Sequence, residues 1–252
     1  MLFRSKPIFS TDALRVHEGF REIGTNGETF GEVLQVCERI LLVHLLRGFE
    51  RRRLLDEVTR VAFFLDGPLA VFGHPAWLSA AIQSELMRLN NVVRASTGSD
   101  LCILGIEKSG AFTTHFEELD QTETPGALLF GPRTYMLLTD RYIKARVNFS
   151  DSAKRYGVDT YFGRKFFYKT ANGARIVATL PFLSPEQDQI ETADISAYPQ
   201  FAHYCLLLDR LTSSRYPNSL APIVSAHAQA AIPLSLGRKV LEQLARALIR
   251  ED

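Results

Sequence analysis

Three carboxylates, Asp66, Glu107 and Asp140, each stand where a run of apolar residues meets a polar turn. An acid at the end of a buried strand is held rigidly at the rim of a sheet, so one sheet could gather all three on a common edge. Like charges that close repel unless a cation lies between them. A divalent ion resolves the repulsion, and hard oxygen ligands suit Mg²⁺ or Mn²⁺. Such ions stabilise the attacking and leaving oxygens when water displaces a phosphodiester in line, which is nuclease-type chemistry. His227, expected on a helix after the last strand, would complete the ligand set or shuttle a proton, and Mn²⁺ tolerates an imidazole better than Mg²⁺ does. Lys108, beside Glu107, would contact a phosphate or balance the acids.

Each residue also has a plainer reading. Asp66 before Gly67-Pro68 is ordinary turn chemistry. Glu107 and Lys108 can be a solvated pair at a strand end, Asp140 and Arg141 a surface ion pair, and His227 a packed or capping residue in an alanine-rich helix. The joint pattern is harder to dismiss than any one part.

The elements that must position these residues follow from periodicity. Val61 to Leu65, the Gly67-Pro68 turn and Leu69 to Phe72 read as a strand, a tight turn and a partner strand. Upstream, Phe30, Val33, Leu34, Cys37, Ile40, Leu41 and Leu45 recur at helical spacing, which predicts one long helix from about Glu28 to Thr59 with that face buried. Arg47, Arg51, Arg52 and Arg53 cluster at its end, as a solvated face or a phosphate contact. Residues 1–29 read as an irregular arm.

Downstream the pattern predicts a helix from Ala76 to Leu89, a strand from Leu101 to Ile106, a short helix from Ala111 to Leu119 and a strand or short helix from Thr134 to Leu138. Tyr161 to Thr170 and Ala174 to Pro181 form a hairpin around Asn172-Gly173. A linker over Pro185 to Asp194 leads into a helix from Ile195 to Leu211, and a last helix spans Leu236 to Ile249.

With 252 residues, 46% of them hydrophobic, the chain can bury a substantial core. Its 29 basic and 28 acidic residues give a formal charge of +1, so any polyanion-binding surface must be local. Cys37, Cys102 and Cys205 lie far apart in apolar segments with no CxxC, which favours reduced thiols over a disulfide frame or zinc site. No signal-like segment opens the sequence, and the most apolar helical run, Ile40 to Leu46, is interrupted by His44 and stopped by Arg47, so a soluble, cytoplasmic protein without membrane contact is expected.

These motifs in this order resemble the NurA family of DNA-end-processing nucleases: DGP at Asp66, a strand ending in Glu107-Lys108, Thr139-Asp140, and Tyr216-Pro217 leading to Ala226-His227. The resemblance runs from Val61 to Ile232. It implies an α/β fold with an RNase H-like mixed sheet flanked by helices, so that a nuclease domain over 61–252 would follow an N-terminal arm and long helix over 1–60. It also implies Asp66, Glu107, Asp140 and His227 as Mn²⁺ (or Mg²⁺) ligands, Tyr216 as an accompanying active-site residue, a homodimer around the DNA path, and a HerA-like hexameric ATPase as partner in DNA repair or antiviral defence. One departure touches Tyr216: the stretch from it to His227, with its APIVS segment, is longer than the family pattern. Arg164 and Lys165, with Phe166, Phe167 and Tyr168, read as a DNA-contacting surface or as a core strand with its basic pair in water, and Arg141 as a further nucleic-acid contact. Two other functions share the pattern: a catalytically silent scaffold for an ATPase, and a nuclease acting on RNA.

Overall fold

A computed structural model describes residues 26–121, 129–213, 215–230, 239 and 243 of the chain. Helix α1, Asn26–Arg51, opens the described chain, and a short α2, Leu55–Val58, follows it. The expected single helix to Thr59 is broken because Arg53 takes a left-handed φ of 58°. The buried face of α1 differs from the expected one. Of the expected face Ile40 enters the core and Val33 is half-buried, but the residues that join Ile40 inside are Val36, Val43 and Leu46, whereas Leu34, Cys37 and Leu45 are exposed and Leu41 is 67% exposed. The helix carries two apolar stripes about two residues out of phase, and periodicity alone favoured the wrong one. The side chain of Phe30 lies outside the described residues.

Strands β1 (Ala62–Asp66), β2 (Cys102–Glu107), β3 (Thr134–Leu137), β4 (Gly163–Lys169) and β5 (Arg175–Pro181) make a five-stranded sheet in the order β1-β2-β5-β4-β3. The first pair is parallel and the other three are antiparallel. The β4–β5 hairpin turns at Asn172-Gly173 as expected, with Gly173 at φ 84°. Between β1 and β2 runs α3, Leu78–Thr97, whose Leu78, Ile82, Leu86 and Leu89 form the expected buried stripe.

The hairpin expected after Asp66 does not form. β1 pairs in parallel with β2 instead, and the second apolar run makes only one isolated bridge, Ala70 to Tyr161. Gly67, at φ 100°, carries the chain over the end of β2, where its N–H donates to the Ile106 carbonyl at 2.7 Å. Leu69, Ala70 and Val71 are then fully buried beside residues 160–162. The crossing is close enough to dictate a residue: a Cβ at position 105 would lie 2.7 Å from the Gly67 carbonyl oxygen, so β2 carries glycine there.

Alternation along the strands sorts the core into two faces. Leu65, Ile103, Val177 and Phe167 point to one face, which is covered by α1, α3, α4 (Ala111–Asp120) and α5 (Asp140–Ile143) with its π-helical continuation Lys144–Asn148. Leu104, Ile106, Ala178 and Phe166 point to the other. That face is covered by α6 (Phe201–Leu211) and, beyond the two-residue β6 (Thr212–Ser213), by residues of β7 (Tyr216–Leu220) and α7 (Ala221–Ala230). The expected helix from Ile195 is shorter, a 3₁₀ turn at Ile195–Ala197 preceding α6. The last expected helix, 236–249, falls outside the described residues apart from 239 and 243. Among the described residues no helix is long and apolar enough to cross a membrane.

Helix α1 is tied to α3 by charge as well as by packing. Arg47 Nε donates to Glu85 at 2.6 Å, and Arg88 bridges Glu85 and Glu50. Hydrogen bonding from Arg88, with Arg47 adding to it against partial burial, holds the Glu85 carboxyl at about 2 instead of 4.5. A depressed carboxylate stabilises the fold above its unfolded value and loses that contribution as the pH falls toward the folded one. Glu85→Gln is therefore expected to lower stability at neutral pH. In urea unfolding the gap between the two proteins should narrow as the pH falls from 4.5 toward about 2.

Candidate active site

Asp66 ends β1 in register with Ile106 of β2, so its side chain shares the Ile106 face. On that face α7 is anchored by Ile223, buried against the sheet with Leu220. His227 follows Ile223 by one helical turn and thus reaches the same end of the sheet. Its Nε2 meets Asp66 Oδ2, joining residues 161 apart in sequence. Lys108, two residues beyond Ile106, completes the cluster: its Nζ lies 3.0 Å from the same Asp66 oxygen and 3.2 Å from His227 Nε2. The His227 side chain is 58% exposed, so the cluster opens to solvent.

Glu107 goes the other way. One residue out of phase with Asp66's partner, it faces the α4–α5 side and pairs with Lys165 of β4. That ammonium is enclosed by the rings of Phe112, 4.2 Å from the centroid, and Tyr161, at 4.8 Å. Burial pulls the Lys165 pKa below its ordinary value, with Glu107 opposing. Burial likewise raises the neighbouring Tyr156 and Tyr161 phenols, whose hydroxyls share a hydrogen bond of 2.9 Å.

Asp140 opens α5 on that same side, behind Thr139, whose hydroxyl caps the helix by accepting from the Tyr142 N–H. Its Oδ2 lies 2.8 Å from Lys144 Nζ, and its Oδ1 accepts the Tyr156 N–H. Each of the three candidate acids thus stands against a lysine: Asp66 with Lys108, Glu107 with Lys165, Asp140 with Lys144. Among the described residues no group of three or more His, Cys, Asp or Glu side chains is placed to hold a metal. Asp66 and His227 alone converge, and a carboxylate oxygen beside an imidazole nitrogen is a donor pair that suits Mn²⁺. The same pair attracts a cation in the folded chain, supplied by the Lys108 ammonium.

Two expected nucleic-acid contacts are corrected. Arg164 and Lys165 are both 2% exposed, and Phe166, Phe167 and Tyr168 are buried with them. β4 is an interior strand covered on both faces, so its basic residues serve the interior: Arg164 donates to the carbonyls of Thr192 and Leu138, and Lys165 to Glu107. Arg141, on α5, is exposed. Tyr216 is the first residue of β7 and pairs with Ser213; its side chain lies outside the described residues.

One residue of the site escaped the sequence reading. Arg39 of α1, 1% exposed, donates from Nη2 to the Pro68 carbonyl at 3.0 Å and so braces the turn that carries Asp66. Its Nε has no hydrogen-bond partner, and burial lowers its pKa while Glu38 and, more weakly, Asp66 hold the charge in place. The only signal in the sequence is an arginine in the middle of an apolar helix face.

The chain matches the NurA domain over residues 4–232. It belongs to the NurA family. Members of this family are generally nucleases. No curated protein and no solved structure matches the chain.

The Glu107–Lys165 pair gives a test of its own. Lys165→Ala leaves a carboxylate unpaired in the interior and should cost about 3 kcal/mol or more of stability in urea unfolding. Adding Glu107→Gln to that variant should recover part of the loss, because the uncompensated charge is gone.

Proposed function

We propose that this NurA-family chain is a metal-dependent deoxyribonuclease that hydrolyses DNA phosphodiesters at the cluster of Asp66, His227 and Lys108. The observation that supports this reading is the contact of Asp66 with His227 across 161 residues of sequence at a solvent-open sheet end. Mn²⁺ or Mg²⁺, when bound, supplies Lewis acidity at a phosphoryl oxygen and lowers the pKa of water. Asp66 Oδ2 and His227 Nε2 would hold that ion. Lys108, within hydrogen-bonding distance of both, is suited to hold a phosphate oxygen of the substrate.

Glu107 and Asp140 are the further carboxylates this reading assigns, and the two are not equal. Asp140 is held by Lys144, and both side chains keep some solvent contact, so that pair exchanges at low cost. Releasing Glu107 would strand the buried Lys165 ammonium, so it belongs to the site mainly through the charge it contributes. Tyr216, the first residue of β7, is assigned as an accompanying residue from the family resemblance.

The wider reading is an RNase H-like nuclease, a cytoplasmic homodimer around DNA, which processes DNA ends with a HerA-like hexameric ATPase in repair or defence. It rests on membership of the family and on a mixed sheet flanked by helices. A second reading, a catalytically silent subunit of an ATPase complex, is favoured by one observation: every candidate acid already has a lysine counter-ion.

Asp66→Asn separates the two readings. The nuclease reading expects cleavage of linear DNA with Mn²⁺ to fall at least 100-fold with the melting temperature nearly unchanged, and expects Mn²⁺ to raise the melting temperature of the intact chain but not of the variant. Cleavage that survives the substitution contradicts the assignment, and an intact chain that neither cuts nor responds to Mn²⁺ supports the silent subunit. Matched DNA and RNA oligonucleotides, digested in parallel, decide between the two polymers.

A further inference from the structure

The segment that follows Asp66, residues 67–73, is gripped along its length by one row of polar side chains on helix α1. Arg39 Nη2 donates to the Pro68 carbonyl at 3.0 Å. One turn back, Gln35 Oε1 accepts the Phe72 N–H at 3.1 Å. A further turn back, the Glu32 carboxylate occupies the place that a Cβ at position 73 would take, and the residue there is Gly73, at φ 73°. Residues 32, 35 and 39 are three and four apart, which puts them on one face of the helix, and the segment runs antiparallel along that face.

The grip is costly where it comes closest to the acid. Arg39 is 1% exposed, among the apolar Val36, Ile40, Val43 and Leu46. Burying a guanidinium gives up its hydration, and an apolar side chain of similar size would fill the place at lower cost. What the charge returns is local. Gly67, the residue after Asp66, is enclosed: its N–H donates to the Ile106 carbonyl at 2.7 Å, and a Cβ on it would lie 3.4 Å from Arg39 Nη2. The guanidinium and the Asp66 carboxylate also attract each other. On the β2 side, Gly105 leaves the turn no room to retreat. The turn that carries Asp66 is therefore held in a clamp, with β2 as one jaw and α1 as the other.

We infer that α1 is a working part of the candidate site and that Arg39 is its positioning residue: through the Pro68 carbonyl, with Gln35 and Glu32 holding the rest of the segment, it sets the Asp66 carboxylate against His227. The inference rests on the nuclease reading and deepens it, because it gives the site a part that touches neither substrate nor metal. It also brings α1, which lies in the stretch 1–60 set apart in the sequence, inside the functional unit.

Two measurements on the full chain test it, one of them without metal. In EDTA, the ring ¹⁵N signal of His227 reports its contact with Asp66. Asp66→Asn gives the position for a broken contact, and Arg39→Met should move the signal toward it. With Mn²⁺ and linear DNA, Arg39→Met should raise the Mn²⁺ concentration for half-maximal rate, or lower kcat, by about 10- to 100-fold, with KM for DNA unchanged. Arg39→Lys keeps the charge and one donor, so it should recover part of both changes. Gln35→Leu loosens the segment without removing the buried charge and should shift both readings in the same direction by less.

A merely structural role predicts a lower melting temperature alone. The inference is overturned if a folded Arg39→Met keeps the His227 signal and the Mn²⁺ requirement of the intact chain, or, should that variant not fold, if Gln35→Leu leaves both unchanged. An intact chain that does not cut with Mn²⁺, while Arg39→Met still moves the His227 signal, overturns the nuclease reading and leaves the positioning of Asp66 standing.

Discussion

Successive side chains of a strand face opposite sides of the sheet, and at the paired ends of β1 and β2 that alternation decides where charge goes. Asp66 is level with Ile106, so Glu107, one step further, is turned through the sheet to the other layer. Everything around the candidate site follows from this half-turn. One layer receives Asp66, Lys108 and His227 in a cluster open to water. The other receives Glu107, Lys165 and Asp140 among aromatic rings, where unpaired charge would be costly and each acid meets an ammonium. Two chemically different environments are thus built from acids that look equivalent in the sequence.

The parts of the fold that could be read from the sequence were those set by local rules. The stripe Leu78, Ile82, Leu86 and Leu89 has a helical period and nothing competing with it, and Asn172-Gly173 selects a tight hairpin by its backbone preferences alone. The placement of Asp66 and His227 at strand and helix ends was legible for the same reason. Parallel pairing was not. After Asp66 the second apolar run has the composition of a strand, but the partner of β1 lies beyond a 20-residue helix, and no local signal distinguishes that pairing from a hairpin.

Burial on both faces explains the other misreadings. β4 is an interior strand, and all seven of its residues are buried, so Arg164 and Lys165 carry no sign in the sequence that they point inward. Which stripe of α1 is inside depends equally on what packs on it, and Arg39, the brace beneath Pro68, belongs to the stripe that periodicity passed over. Local pattern sets which elements form. Which side chains meet is set by the order of strands, and that is a property of the whole chain.

Gly105 shows how far the constraint on a site extends beyond the groups that perform chemistry. It presents no side chain and has no donor or acceptor beyond its backbone, yet the loop bearing Asp66 passes directly over it with no room for a methyl group. Any side chain at position 105 would force the backbone of Gly67 to Leu69 to shift, and this is the turn that directly follows Asp66. The space above Gly105 is therefore as much a requirement of the site as the acid itself, and it lies at a residue that a search for reactive groups would never visit.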